Sequence, residues 1–167
     1  MIGVSRFIRH MLTTRRQLNR HFPELCLASI KSAIKNAETS HRGEIHFAIE
    51  AALHPAQLRQ GKTAHERALE VFSLSRVWDT ENNNGVLIYV LLADKSVEII
   101  ADRGIHMKIA GDDAWQRIVG TMQDAFADGR FEAGAVAGIA AVAQELVRHF
   151  PAAGPDPGPA ADDAALP

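Results

Sequence analysis

The chain has a single cysteine, Cys26, in 167 residues, so no disulfide can form within it and no thiolate cluster can hold a metal. Such cysteine usage fits a reducing compartment. Long apolar runs are missing as well. Arg6 and Arg9 interrupt the N-terminus well before the ~7–15 apolar residues of a signal peptide. The small-residue run AGAVAGIAAVA, residues 133–143, falls short of the ~18 residues that suggest a membrane span. These absences predict a soluble, cytoplasmic chain without signal peptide or membrane anchor. An excess of positive charge is absent too. The net charge is −2, and residues 1–21 carry five arginines (Arg6, Arg9, Arg15, Arg16, Arg20) and no acid, so the other 146 residues hold −2 − 5 = −7. A general nucleic-acid binder would show the opposite balance over its binding domain. No phosphate-cradling glycine loop, Gly-x-Ser-x-Gly elbow or His-Glu-x-x-His helix is present. No nucleophile-and-base pair stands out, so no catalytic residue is assigned.

What is present reads as one globular domain, with 47% hydrophobic and 23% charged residues. Residues 1–22 form a basic N-terminal segment whose helix, about 4–19, is expected to dock through Phe7, Ile8, Met11 and Leu12 with its arginines facing out. The domain spans 23–150. Pro23 opens a helix with Leu27, Ile30, Ile34 and Ala37 as its stripe, ending near Gly43. EIHFAIE, 44–50, alternates like a half-buried strand, whereas VLIYVLL, 86–92, is apolar on both faces like a covered central strand. Between them, Thr63 and Glu66 have capping-box spacing, which predicts a helix over about 64–78 with Ala68, Leu69, Val71 and Phe72 inward. Strand–helix–strand implies a parallel crossover. The short ADKS turn then predicts an antiparallel partner over 97–101. Two long helices follow, the second carrying GAVAG, 134–138, whose glycines suit close helix packing. Residues 151–167, with five of the seven prolines, read as a disordered Pro/Ala-rich tail.

The stretch WDTENNNG, 78–85, raises the question of function. Asp79, Glu81 and Asn84, with Asn82 and Asn83, supply the hard oxygen donors that calcium or magnesium prefers, and they equally suit a plain turn. Asp112 and Asp113 in GDDAW pose the same choice, because either can cap the next helix and Asp113 with Gln116 has capping-box spacing. The antiparallel pair should bring loops 79–85 and 102–113 together, so that two weak acidic segments make one divalent-metal site. Lys95 and Arg103 are candidate phosphate or partner contacts. His46 shares a strand face with Glu44 and Glu50, where a carboxylate could hold it charged, and Arg42 beside Glu44 reads as a surface pair.

The order of these parts is itself distinctive. AETSHRGEIHFAIE, then NNNGVLIYVLLADKSVEIIADRGI, then DDAW and MQDAFADGRFEAGAVAGIAAV together resemble the TPM domain, a phosphatase-like family, over about residues 24–149. The family's turn usually reads Asp-Arg, and Asp94-Lys95 stand there here. The resemblance implies an α/β/α sandwich, three layers around a small mixed sheet. It also implies calcium binding through acidic loops, as in some members, and acid phosphatase activity, as assigned to thylakoid-lumen members linked to photosystem repair. This chain carries an arginine-rich helix in front and a proline-rich tail behind, where the family commonly has an exported domain followed by a membrane anchor. Two functions follow. One is an accessory binding module whose acidic loops, with or without a metal, meet another protein or a membrane-associated complex, with weak membrane-surface contact through the N-terminal helix. The other is a metal-assisted phosphomonoesterase in which Asp79, Asp112 and Asp113 hold the ion and Arg103 or Lys95 clamps the phosphate.

Overall fold

Why the run VLIYVLL, 86–92, is apolar throughout becomes clear from where it lies. The computed structural model describes residues 3–79, 83–109 and 113–152. Its sheet has the order β1 (Glu44–Glu50), β2 (Gly85–Leu91), β3 (Ser96–Ala101). β1 runs parallel to β2, with Glu44 opposite Gly85 and Glu50 opposite Leu91. β3 runs antiparallel, with Val86 opposite Ala101 and Leu91 opposite Ser96. Alternate side chains of a strand point to opposite faces. Val86, Ile88 and Val90 therefore enter one core, while Leu87, Tyr89 and Leu91 enter another. All seven residues of β2 are buried.

The first core is closed by α3 (Glu24–Ala37), α7 (Ala114–Ala127) and α8 (Phe131–His149), through Ile30, Ile118, Met122, Ile139 and Leu146 among others. Cys26 is buried within it. The second core holds Ala68 of α5 (Ala64–Leu74) and Leu58 of α4 (Pro55–Arg59), with Val77. Helices on both faces of a mixed sheet make the three-layer α/β/α sandwich that the sequence predicts. The glycines of α8 act as expected. A Cβ on Gly138 would fall 2.3 Å from Met122 Sδ of α7.

Several details differ from the sequence reading. α5 begins with the Thr63–Glu66 capping box but ends at Leu74, because Arg76 adopts φ 53° and the chain turns there. Leu69 lies on its exposed side. His54 and Gln57 form a second capping box, with Pro55 in the first turn, and start the short α4. A further helix, α6 (Arg103–Ile109), occupies much of what reads as a loop after β3. At the C-terminus, Pro151 forms a bridge with His41, and Ala152 N–H donates to Ser40 O at 3.1 Å. Those first two residues of the expected tail are thus paired, and residues 153–167 lie outside the described residues.

The N-terminal segment shows the largest difference. It forms two helices, α1 (Val4–Leu12) and α2 (Arg15–His21), because Thr14 and Gln17 make a capping box that restarts the chain. α1 docks by its polar edge. Arg6 forks onto Asp94 in the turn after β2, with Nη2 2.7 Å from Oδ2 and Nε 3.0 Å from Oδ1. His10, fully buried, places Nε2 2.9 Å from Asp94 Oδ1, while its Nδ1 accepts from Leu53 N–H at 3.0 Å. Phe7, Ile8, Met11 and Leu12 face solvent instead of the domain. The physical reason is that both cores are already filled, whereas the largely buried carboxylate of Asp94 needs donors. Burial pushes that carboxyl up, but the hydrogen bonds from Arg6 and His10 outweigh it and hold it below its ordinary range.

Candidate functional site

The antiparallel register fixes which loops meet. Since Val86 pairs with Ala101, the segment entering β2 and the segment leaving β3 lie at the same end of the sheet, and Asp102 N–H donates to Gly85 O at 2.9 Å. Between them opens a cleft of about 480 Å³ lined by Trp78, Asn83, Asp102, Arg103, Gly104 and Met107. The described ends of the two loops, at Asn83 and at Asp102 and Arg103, are therefore neighbours.

Asp102 is the residue that sequence reasoning missed. Its carbonyl accepts from Ile105 and His106 N–H groups, opening α6, and its Oδ1 accepts from Arg103 N–H at 2.6 Å. Its Oδ2 is buried with no hydrogen-bond partner among the described residues. A carboxylate oxygen stripped of water and left unsatisfied is costly. The available signal was positional: an acid directly after the strand that ends beside the loop 79–85.

Of the other described candidates, Asn83 and Arg103 line this cleft, and Asp79, Asn84, Asp113 and Lys95 do not. Asp79 is exposed, and Asn83 is exposed with φ 48°, the left-handed conformation that asparagine tolerates. Asn84 is buried, and its amide Nδ2 donates to Arg42 O at 2.7 Å, so that nitrogen ties the start of β1 to the start of β2. Asp113 holds the N-cap position of α7 but its side chain makes no capping bond, so the expected box with Gln116 does not form. Glu81 and Asp112 lie outside the described residues. Arg103 is exposed at the cleft. Lys95 is not with it. That residue sits in the left-handed position of the turn between β2 and β3, at the opposite end of the sheet, roughly six residues of about 3.3 Å each away. The pairing of Lys95 with these loops is thereby corrected, because a hairpin's turn and its open end cannot share a ligand.

Among the described residues, no three His, Cys, Asp or Glu side chains cluster as a metal site. His46 lies 3.7 Å from Glu44 on an exposed part of β1, a loose surface contact, and no ion pair joins Arg42 to Glu44. Nor is any helix among the described residues long and apolar enough to cross a membrane.

Comparison with known proteins gives the same architecture. The TPM domain family model matches residues 26–145. Among solved structures, the BA42 protein of the psychrophilic bacterium Bizionia argentinensis is 33% identical, with a TM-score of 0.64 over 74% of this chain and 80% of that one. The N-terminal domain of a protein from P. gingivalis shares 18% identity and a TM-score of 0.60 over 76% of this chain and 79% of its own, a likeness of fold alone. No curated protein matches. Helices α1 and α2 precede the region that the family covers.

Proposed function

The chain belongs to the TPM domain family, and on that premise we propose that it is an accessory binding module whose loops 79–85 and 102–113 hold a divalent cation and meet a protein partner. One observation carries the reading: the Oδ2 of Asp102, buried and without a hydrogen-bond partner among the described residues, at the cleft between those loops. A cation would satisfy that oxygen and offset its desolvation. Asn83 lines the same cleft, and Asp79 and Asp113 stand in the same two loops; all are oxygen donors, the set that calcium or magnesium takes and that zinc or copper does not favour. A full coordination shell also requires Glu81 or Asp112 from the same two loops.

Arg103 supports a second reading, because it lines the same cleft as Asp102. With a bound cation, it would clamp a phosphate monoester while the metal activates water. The first reading is preferred, since Lys95 stands too far away to add the second positive charge that phosphoryl transfer draws on.

The test is a melting curve with calcium or magnesium added to the full chain. At 100 times its dissociation constant, a cation stabilises by about 2.7 kcal/mol. Asp102→Asn should lose this gain while keeping or slightly exceeding the stability of the cation-free protein, because a buried charge is removed. Equal melting with and without cations in both proteins overturns the metal site. Hydrolysis of p-nitrophenyl phosphate that depends on both the cation and Arg103 would favour the phosphatase.

A further inference from the structure

At the other end of the sheet, α1 exposes what an isolated domain has no use for. Val4, Phe7, Ile8, Met11 and Leu12 stand on one helical side with relative exposures of 37–75%. Their spacing of three and four residues puts them on a single face. The opposite edge of the helix is occupied, since Arg6 and His10 are fixed on Asp94 and Arg6 also donates to Lys62 O at 2.9 Å. The apolar face is thus presented outward by an anchored helix. It is not the frayed end of a loose one.

The charge of the segment that carries that face identifies its occupant. Arg15, Arg16 and Arg20 of α2 are exposed and form no ion pair among the described residues, Arg9 is half exposed, and no acid occurs before Glu24. A second copy of the chain would bring the same arginines against one another. We propose that α1 is an interfacial anchor that lays this face into the headgroup region of an anionic lipid bilayer, with the arginines of α2 drawn to the lipid phosphates. An exposed apolar helix face followed in the chain by unpaired basic residues binds membranes in this way, by shallow apolar burial together with attraction to anionic lipid. The Arg6–Asp94 contact lets the helix carry the domain with it, because the docked edge and the lipid-facing edge are different sides of the same helix. This inference does not depend on the cation reading, which concerns the far end of the molecule.

The test is co-sedimentation of the full chain with phosphatidylcholine vesicles, with and without phosphatidylglycerol, at low and high salt. Binding is expected to require phosphatidylglycerol and to fall as salt screens the charges. Ile8→Glu with Leu12→Glu should abolish it without lowering the melting temperature, because both side chains are exposed. Replacing Arg15, Arg16 and Arg20 by Ser should weaken it by roughly fivefold per arginine. In Phe7→Trp, vesicles should shift the emission of the added indole to the blue. No sedimentation of the unaltered chain with anionic vesicles at low salt overturns the proposal, and so does undiminished binding by the Ile8→Glu, Leu12→Glu protein. A dimer that dissociates in that variant, with no vesicle binding, overturns it in favour of self-association.

Discussion

Gly85 lies so close to Val77 that a Cβ built on it would stand 1.9 Å from the Val77 carbonyl oxygen. Gly85 starts the central strand, and Val77 lies in the turn that follows α5, so this contact is where the crossover closes onto the sheet. The backbone oxygen cannot swing aside as a side chain would. Gly85→Ala should therefore destabilise by about 3 kcal/mol, the upper part of the usual range for overpacking. Chemical denaturation checks this, and a loss below about 1 kcal/mol would show that the turn yields freely.

The Asp94 latch makes the docking of α1 sensitive to acid. The carboxyl is held below its ordinary value of 3.8 in the folded protein. Its contribution is therefore complete above that pH and is lost as the pH falls through the lower, folded value. At neutral pH, Asp94→Asn should weaken docking by about 1.5–3 kcal/mol, the range for hydrogen bonds to a charged group. The amide resonance of Leu53, whose N–H donates to His10, reports the docked state. An unchanged Leu53 shift in the variant would mean that α1 is held by something else.

His41 predicts a second pH response, in a milder range. Burial lowers its pKa from the ordinary 6.5, with the charge of Glu38 opposing, and its Nε2 is buried without a hydrogen-bond partner among the described residues. The folded state thus prefers the neutral ring. Its stability is full above pH 6.5 and declines as the pH falls below it, by at most about 1.4 kcal/mol per pH unit for one proton. His41→Gln should flatten this slope relative to the unaltered chain in melting curves between pH 7 and pH 5. Identical slopes would assign the acid sensitivity to other histidines.

How much of this was legible in the sequence depends on the range of the interaction. The alternation of EIHFAIE and the unbroken apolar run of VLIYVLL come from local burial, and both strands stand where those patterns place them. Thr63 and Glu66 meet within one helical turn, so the start of α5 was legible too. The face by which α1 docks was not. Amphipathicity defines two sides of a helix but not which one meets the protein, and the decisive partner, Asp94, is 88 residues from Arg6. Asp102 escaped notice for a similar reason, since an unsatisfied oxygen is a property of its surroundings and not of its residue type. Lys95 was misplaced although its position was legible, because the same hairpin that joins loops 79–85 and 102–113 sends its own turn the other way.

The central strand also sets a distance. Gly85 begins β2 at the cleft, and the turn holding Asp94 follows Leu91 at its other end, a separation of about 20 Å for a strand rising about 3.3 Å per residue. If α1 lies on a bilayer with β2 upright on it, and if the loops at the cleft take up a cation, that strand works as a rigid strut between the two sites. With a screening length of about 8–10 Å at physiological salt, the loops then stand beyond most of the surface potential of the membrane. Their carboxylates would experience the bulk electrolyte, so that cation uptake at one end and lipid contact at the other can proceed without electrostatic interference.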